Sequence, residues 1–323
     1  MKKIENIRIE NFKSLQNVAI NNCKTYNIFI GQPNVGKSNI LEALTLFAVP
    51  YLAAMNKSLV DLFRLDECSS LFYNGDISQP IKVNLGVDDL EVVYNNSDSL
   101  GFTIKLQSEE HKFNVIDLKV EKSLEEYSIY KPYFYESRRN LKSVNMPFLC
   151  PVGGENLMQV VQNNEELRKD FIDLLKGYDL RLTFDNTSQQ IKIMKDLSDT
   201  SSCIFSLEAM ADSLKRLMFY KAAVMSNQDS VLFFEEPEAH SYPPYIVKII
   251  QTILNNPANQ YFITTHSPYV LNEFLSDSIE DLAIHLVDYK GGKTIVRTLS
   301  EEEVVEVYNN GIDLFFNIEA FLS

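Results

Sequence analysis

Gly31-Gln32-Pro33-Asn34-Val35-Gly36-Lys37-Ser38 follows the spacing G-x-x-x-x-G-K-[ST] and comes directly after the apolar run of residues 26–30. A strand that ends in such a loop and opens a helix turns successive backbone N–H groups toward phosphate oxygens, and the helix dipole adds to the attraction. Lys37 is the residue expected to reach the β and γ oxygens of a nucleoside triphosphate, and the Ser38 hydroxyl the one expected to ligate magnesium. Gly31, Asn34, Val35, Gly36 and Asn39 complete the expected nucleotide-binding set.

Upstream of the loop, Ile7 and Ile9 alternate with Arg8 and Glu10, and Val18 and Ile20 follow after a break, so three strands are expected before the first helix. Downstream, Ile40, Leu41, Leu44 and Phe47 fall at helical spacing and Pro50 marks the end of the helix or a kink in it. Residues 81–87, 90–94, 102–106 and 113–120 read as strands of an antiparallel meander, with 127–135 adding another. The pattern becomes helical over 155–176, stops at Gly177, returns to strand at 180–184 and 191–194, and becomes helical again over 206–225.

The second informative stretch is Val231-Leu232-Phe233-Phe234-Glu235-Glu236-Pro237-Glu238. A wholly apolar strand of this kind belongs to a buried parallel sheet and delivers two carboxylates to its C-terminal end, where α/β sheets bind ligands. Glu235 is expected to hold magnesium, and Glu236 to orient or deprotonate an attacking water. The next buried strand runs into Thr264-Thr265-His266-Ser267-Pro268, which brings His266 to the same sheet edge as a γ-phosphate sensor. His240 is balanced between a site role and capping the helix near Tyr242, whereas His111 and His285 read as structural. Residues 282–287 and 294–299 form a late strand pair across Lys290-Gly291-Gly292-Lys293, and Ser300 with Glu303 opens the last helix as a capping box.

Bulk properties narrow the class. With 323 residues and 45% hydrophobic content, the chain has ample material for a core. A net charge of -14 argues against a surface that attracts nucleic acid as a whole. The four cysteines show no metal-ligand spacing, the N-terminus does not run into an apolar leader, and no stretch reaches the length of a membrane span, so a cytoplasmic protein with reduced thiols and no membrane partner is expected.

Residues 31–43, Phe234-Glu235-Glu236-Pro237-Glu238-Ala239-His240 and residues 264–268, together with Glu10-Asn11-Phe12-Lys13-Ser14-Leu15, resemble the ABC-type ATPases of the RecF, SMC and OLD group, an AAA-like family. The resemblance implies an α/β fold, a P-loop NTPase of ABC-ATPase type with a mixed central sheet, an antiparallel strand-rich lobe and a small helical lobe. It implies one ATPase head over residues 1–323: an N-terminal lobe (1–135), a helical insertion with returning strands (136–205), and a C-terminal lobe (206–323). ATP and Mg2+ are the implied cofactors. A homodimer or higher oligomer is implied because a signature motif of one head completes the nucleotide site of another. The matching stretch here is Ala211-Asp212-Ser213-Leu214-Lys215-Arg216, which departs from the family pattern: Ala211 replaces a serine, and Ser213 stands where glycine is usual. Ser213 is therefore the candidate phosphate contact from a second copy, and turnover is expected to be slow. Glu235 also replaces the more frequent aspartate, and Gln79 matches the family's magnesium-contacting glutamine by position only.

Between the strand-rich part and Ser206 no long coiled coil is expected, and the residues after His266 are expected to be closing strands and helices rather than a Toprim-like domain. The resemblance thus implies an ATPase switch acting on a separately encoded effector, a nuclease or toxin as in bacterial anti-phage systems, or on DNA. Arg138, Arg139 and Lys142 form the noticeable basic cluster. The alternative is a scaffold that holds ATP and assembles partners with little turnover. A transporter ATPase fits the motifs less well.

Overall fold

The computed structural model describes residues 2–51, 57–95, 99–106, 109–116, 119–120, 129–135 and 146–322. Arg138, Arg139 and Lys142 lie outside them. The chain divides into two compact units, one of Met1–Pro132, Asp229–Glu236 and Asn259–Ser323, the other of Tyr133–Gln228 and Pro237–Ala258.

The first unit is built on a six-stranded sheet whose order is Lys293–Thr298, Leu282–Lys290, Tyr26–Ile30, Gln260–Thr264, Val231–Glu235 and Tyr130–Tyr133. Tyr26–Ile30 sits between two parallel neighbours, with Ile28 in register with both Ile263 and Ile284. Parallel strands are covered on both faces, which is why Tyr26–Ile30 and Gln260–Thr264 are buried at every position and mostly apolar. Ile28, Phe29, Ile30, Phe233, Phe262 and Ile263 are all fully buried. Parallel pairing also puts the C-terminal ends of the three central strands on one sheet edge, and Glu235 lies opposite Thr264 there. The helix Lys37–Thr45 leaves from that edge, with Gly36 as its N-cap.

The same unit carries a seven-stranded antiparallel sheet, ordered Leu15–Ile20, Ile7–Phe12, Ile81–Asn84, Asp89–Asn95, Ser99–Leu106, Glu109–Ile116 and Lys119–Val120. Ile81, Val83, Leu90, Val92, Phe102 and Ile104 face inward while Lys82, Glu91 and Lys105 stay exposed, the two-residue period of a sheet with one wet face. The expected meander is present. Its continuation into the opening hairpin through Ile9 and Val83 is a long-range pairing with no local signal.

In the second unit, Asn164 caps the helix Glu165–Lys176 by accepting the Leu167 N–H at 2.9 Å, and Gly177 ends it. A three-stranded antiparallel sheet follows, Arg181–Asp185, Gln190–Ser198 and Ser201–Ser206. The helix expected over 206–225 begins instead at Asp212 and runs to Met225, because the third strand ends at Ser206 and Leu207–Ala209 form a separate 3-10 turn. Residues 201–206 have no apolar alternation of their own, and it is pairing of Ile193 with Phe205 and Met194 with Ile204 that makes them a strand. The helices Asp212–Met225 and Pro243–Leu254 pack together in this unit.

Candidate nucleotide site

The phosphate loop is held from beneath. A Cβ on Gly31 would come within 2.2 Å of the Val287 carbonyl oxygen, and one on Gly36 within 2.2 Å of Thr294 Oγ1 and 2.7 Å of Ser14 Oγ. Both glycines are thus required for close approach, and Gly36 also has a φ of 103°, a region that side chains disfavour. Asn34 sits at φ 63°, which asparagine tolerates better than most residues. Lys37 is almost fully buried, and its Nζ donates to the carbonyl oxygens of Gly31 at 2.9 Å and Gln32 at 2.8 Å. Burial pushes its pKa down to about 8 against the opposing pull of Glu236 and Glu235. Ser38 and Asn39 follow on the first turn, half-buried, and Asn39 Nδ2 donates to Ser14 Oγ at 2.7 Å.

The acids and the histidine reach the same edge. Glu236 N–H donates to the Thr264 carbonyl oxygen at 3.0 Å, and this holds Glu236 at φ 42°, a left-handed conformation that costs a non-glycine residue about 1–3 kcal/mol. His266 Nε2 stands 3.5 Å from Glu236 Oε1. Burial, and then the positive charge of Lys37, lower the His266 pKa below its ordinary value while Glu236 opposes them, which favours the neutral ring. Lys37, Glu235, Glu236 and His266 therefore share one electrostatic neighbourhood.

Ser213 belongs to the second unit, half-buried on the first turn of Asp212–Met225, whose N-cap Ala211 offers no side-chain cap. His285 is fully buried, its Nδ1 is 2.9 Å from Thr298 Oγ1, and desolvation lowers its pKa to about 3; it is a core residue. Exposed Gln79 contributes a backbone carbonyl to Asn11.

Sequence reasoning passed over Arg64, whose guanidinium lies 3.8 Å from Glu235 Oε2. It also passed over the ion pair of Lys13 with Glu42, a residue of the loop helix that is 7% exposed. Residues 51–78 carry no periodicity that marks Arg64, and the pairing of Lys13 spans 29 positions.

The donor set fits a nucleoside triphosphate with magnesium. The loop's two glycines pack on what lies beneath them too tightly for any Cβ, Lys37 lies among the loop carbonyls, Ser38 follows on the first turn of the helix, and Glu235 ends the strand Val231–Glu235. Among the described residues no group of three or more His, Cys, Asp or Glu side chains forms a cage for a metal. Magnesium in a phosphate loop takes most of its ligands from phosphate and water, so one hydroxyl and one carboxylate suffice.

The sequence matches the family profile described as “AAA ATPase domain” over residues 1–198. Residues 151–272 match a second, described as “AAA domain, putative AbiEii toxin, Type IV TA system”. A Helicobacter pylori protein described as an ATP/GTP phosphatase is 24% identical, over 82% of this chain and 85% of its own. Among solved structures, an SMC head bound to the C-terminal winged-helix domain of ScpA aligns with a TM-score of 0.56 at 16% identity, over 94% of this chain and all of that one. A Pyrococcus furiosus SMC head with an extended coiled coil, bound to the C-terminal domain of ScpA, aligns at 0.51 and 12% identity, over 96% of this chain and 99% of that one. These likenesses show the P-loop NTPase fold of an SMC-type head.

Proposed function

This chain belongs to the AAA ATPase domain family and hydrolyses ATP, and from that premise we propose that residues 1–323 act as one head of a dimeric switch: ATP closes two copies together and hydrolysis parts them. The observation that carries the reading is the convergence of Lys37, Glu235, Glu236 and His266 on one sheet edge, with Glu236 held in a strained conformation beside His266. The signature-like Ser213, on the first turn of Asp212–Met225, is the group assigned to the second copy.

In this reading Lys37 exchanges its two loop carbonyls for phosphate oxygens, and Glu236 accepts a proton from, or orients, the water. His266 donates its N–H toward the γ-phosphate, and the N–H groups of residues 34–38 cradle the rest. Magnesium, held by Ser38 and Glu235, would neutralise charge building between the β and γ oxygens. The switch serves a separately encoded effector, a nuclease or toxin, or DNA engagement. The likeness of residues 151–272 to a family that includes a putative type IV toxin–antitoxin toxin supports the effector reading by analogy.

Glu236→Gln is expected to retain ATP and, with magnesium, to double its mass by light scattering, while Lys37→Ala stays at monomer mass and releases no phosphate. An unchanged mass in both parent and Glu236→Gln overturns the switch. The altered signature at Ala211 and Ser213 favours one other reading, a scaffold with little turnover. An assembly that forms equally with a nonhydrolysable analogue and persists through long ATP incubation would select it.

A further inference from the structure

The late hairpin Leu282–Lys290 and Lys293–Thr298 touches both glycines of the phosphate loop. Val287 presents its carbonyl to Gly31, and Thr294, only 1% exposed, lies against Gly36. Thr294 Oγ1 donates to the Val35 carbonyl oxygen at 2.8 Å and lies 2.7 Å from Ser14 Oγ, which accepts from Asn39 Nδ2 at 2.7 Å. The directions of these bonds are settled by proton count. A carbonyl can only accept, so the single Thr294 hydroxyl proton goes to Val35, and Thr294 Oγ1 must accept the proton of Ser14. The chain therefore runs one way, from Asn39 through Ser14 and Thr294 to Val35. The backbone backs it up, since Thr294 N–H donates to the Ser14 carbonyl oxygen at 3.0 Å.

The peptide between Val35 and Gly36 is planar and trans, so its C=O and N–H point in opposite directions. Drawing the carbonyl down onto Thr294 turns the Gly36 N–H up, away from the hairpin. We infer that Thr294 is a positioning residue for ATP, which through the Val35 carbonyl aims the Gly36 N–H at the phosphates, with Ser14 and Asn39 holding its hydroxyl in direction. The lysine, serine and glycines of the loop supply the contacts; a residue more than 250 positions away sets the angle of one of them. The inference rests on the loop being the nucleotide site.

The test compares ATP affinity by calorimetry and kcat for Thr294→Val, Thr294→Ser and Ser14→Ala. Valine keeps the shape of threonine without its hydroxyl, and is expected to raise the ATP dissociation constant about tenfold while kcat stays within about threefold, the pattern of lost ground-state binding. Serine keeps the hydroxyl and is expected to restore parental affinity. Ser14→Ala leaves the Thr294–Val35 bond but removes its backing, with an expected weakening of about threefold. Unchanged affinity in Thr294→Val, or equal loss in Thr294→Ser, overturns the inference. Unchanged affinity in Ser14→Ala overturns it even where Thr294→Val is too unstable to assay. A parent that binds no ATP removes the nucleotide reading itself; a parent that binds, with variants that match it, removes this inference alone.

Discussion

Lys37 keeps its positive charge where burial disfavours it, with a pKa pushed down to about 8 in the absence of nucleotide. Phosphate beside the ammonium restores the charged form, so binding above that pH must bring a proton with it. The sign follows. Below pH 8 Lys37 is already charged and ATP affinity is insensitive to it; above pH 8 affinity falls, by up to about tenfold per pH unit. Calorimetry at pH 9 in two buffers of different ionisation enthalpy should register the proton uptake, and equal heats would show that Lys37 does not couple to binding. The motif spacing made Lys37 legible in the sequence, but its lowered pKa was not, because the desolvation comes from the packed loop around it.

The turn between Ile7–Phe12 and Leu15–Ile20 docks that hairpin on the helix Lys37–Thr45 by two arms, the Lys13–Glu42 ion pair and the Ser14–Asn39 hydrogen bond. Lys13 sits at φ 47°, so the turn is shaped to present it. Burial raises the Glu42 pKa above its ordinary value and Lys13 pulls it back. Lys13→Met leaves a buried carboxylate unpaired and is expected to destabilise the protein by about 3–5 kcal/mol at pH 7. A carboxyl with a raised folded-state pKa contributes its stability below its unfolded value and loses it as pH rises through the folded one. The deficit of Lys13→Met relative to parent should therefore shrink as pH falls toward 5, because Glu42 can then become neutral. Urea midpoints at pH 7 and 5 measure this, and a deficit independent of pH would show that Glu42 is not the cause. The element itself was visible in the alternation of residues 7–20. Its anchoring was not, since the contacts join different elements with no shared periodicity.

The whole molecule interleaves its two units along the chain, which leaves the first unit after Pro132 and Glu236 and re-enters it at Asp229 and Asn259. Magnesium-ATP at about one hundred times its dissociation constant should add about 2.7 kcal/mol to the stability of the state that binds it. Glu236→Gln, which does not consume the ligand, is the protein in which to measure the shift by thermal unfolding. Lys37→Ala should show none; an equal shift in Lys37→Ala would place ATP elsewhere than the loop. The -14 charge of the chain also bears on this scale, since any DNA contact would be local and would weaken with salt.

Spacing alone settled the loop, the apolar strand that carries Glu235 and Glu236, and the strand that carries His266, because each is a local pattern of residue types with a local physical meaning: glycines for the turn, a continuous apolar run for a doubly covered strand, a capping residue for a helix. The fold class followed from the family resemblance that these motifs carry, and the SMC-type heads share it. Tertiary structure decided the rest. It joined the opening hairpin to the meander, made a strand of residues 201–206, brought Arg64 to Glu235, strained Glu236 against Thr264, and set Thr294 under Gly36. Each of these depends on residues far apart in the chain whose hydrogen bonds and charges are satisfied only by one another. That dependence leaves no trace in the order of residues until the chain is packed.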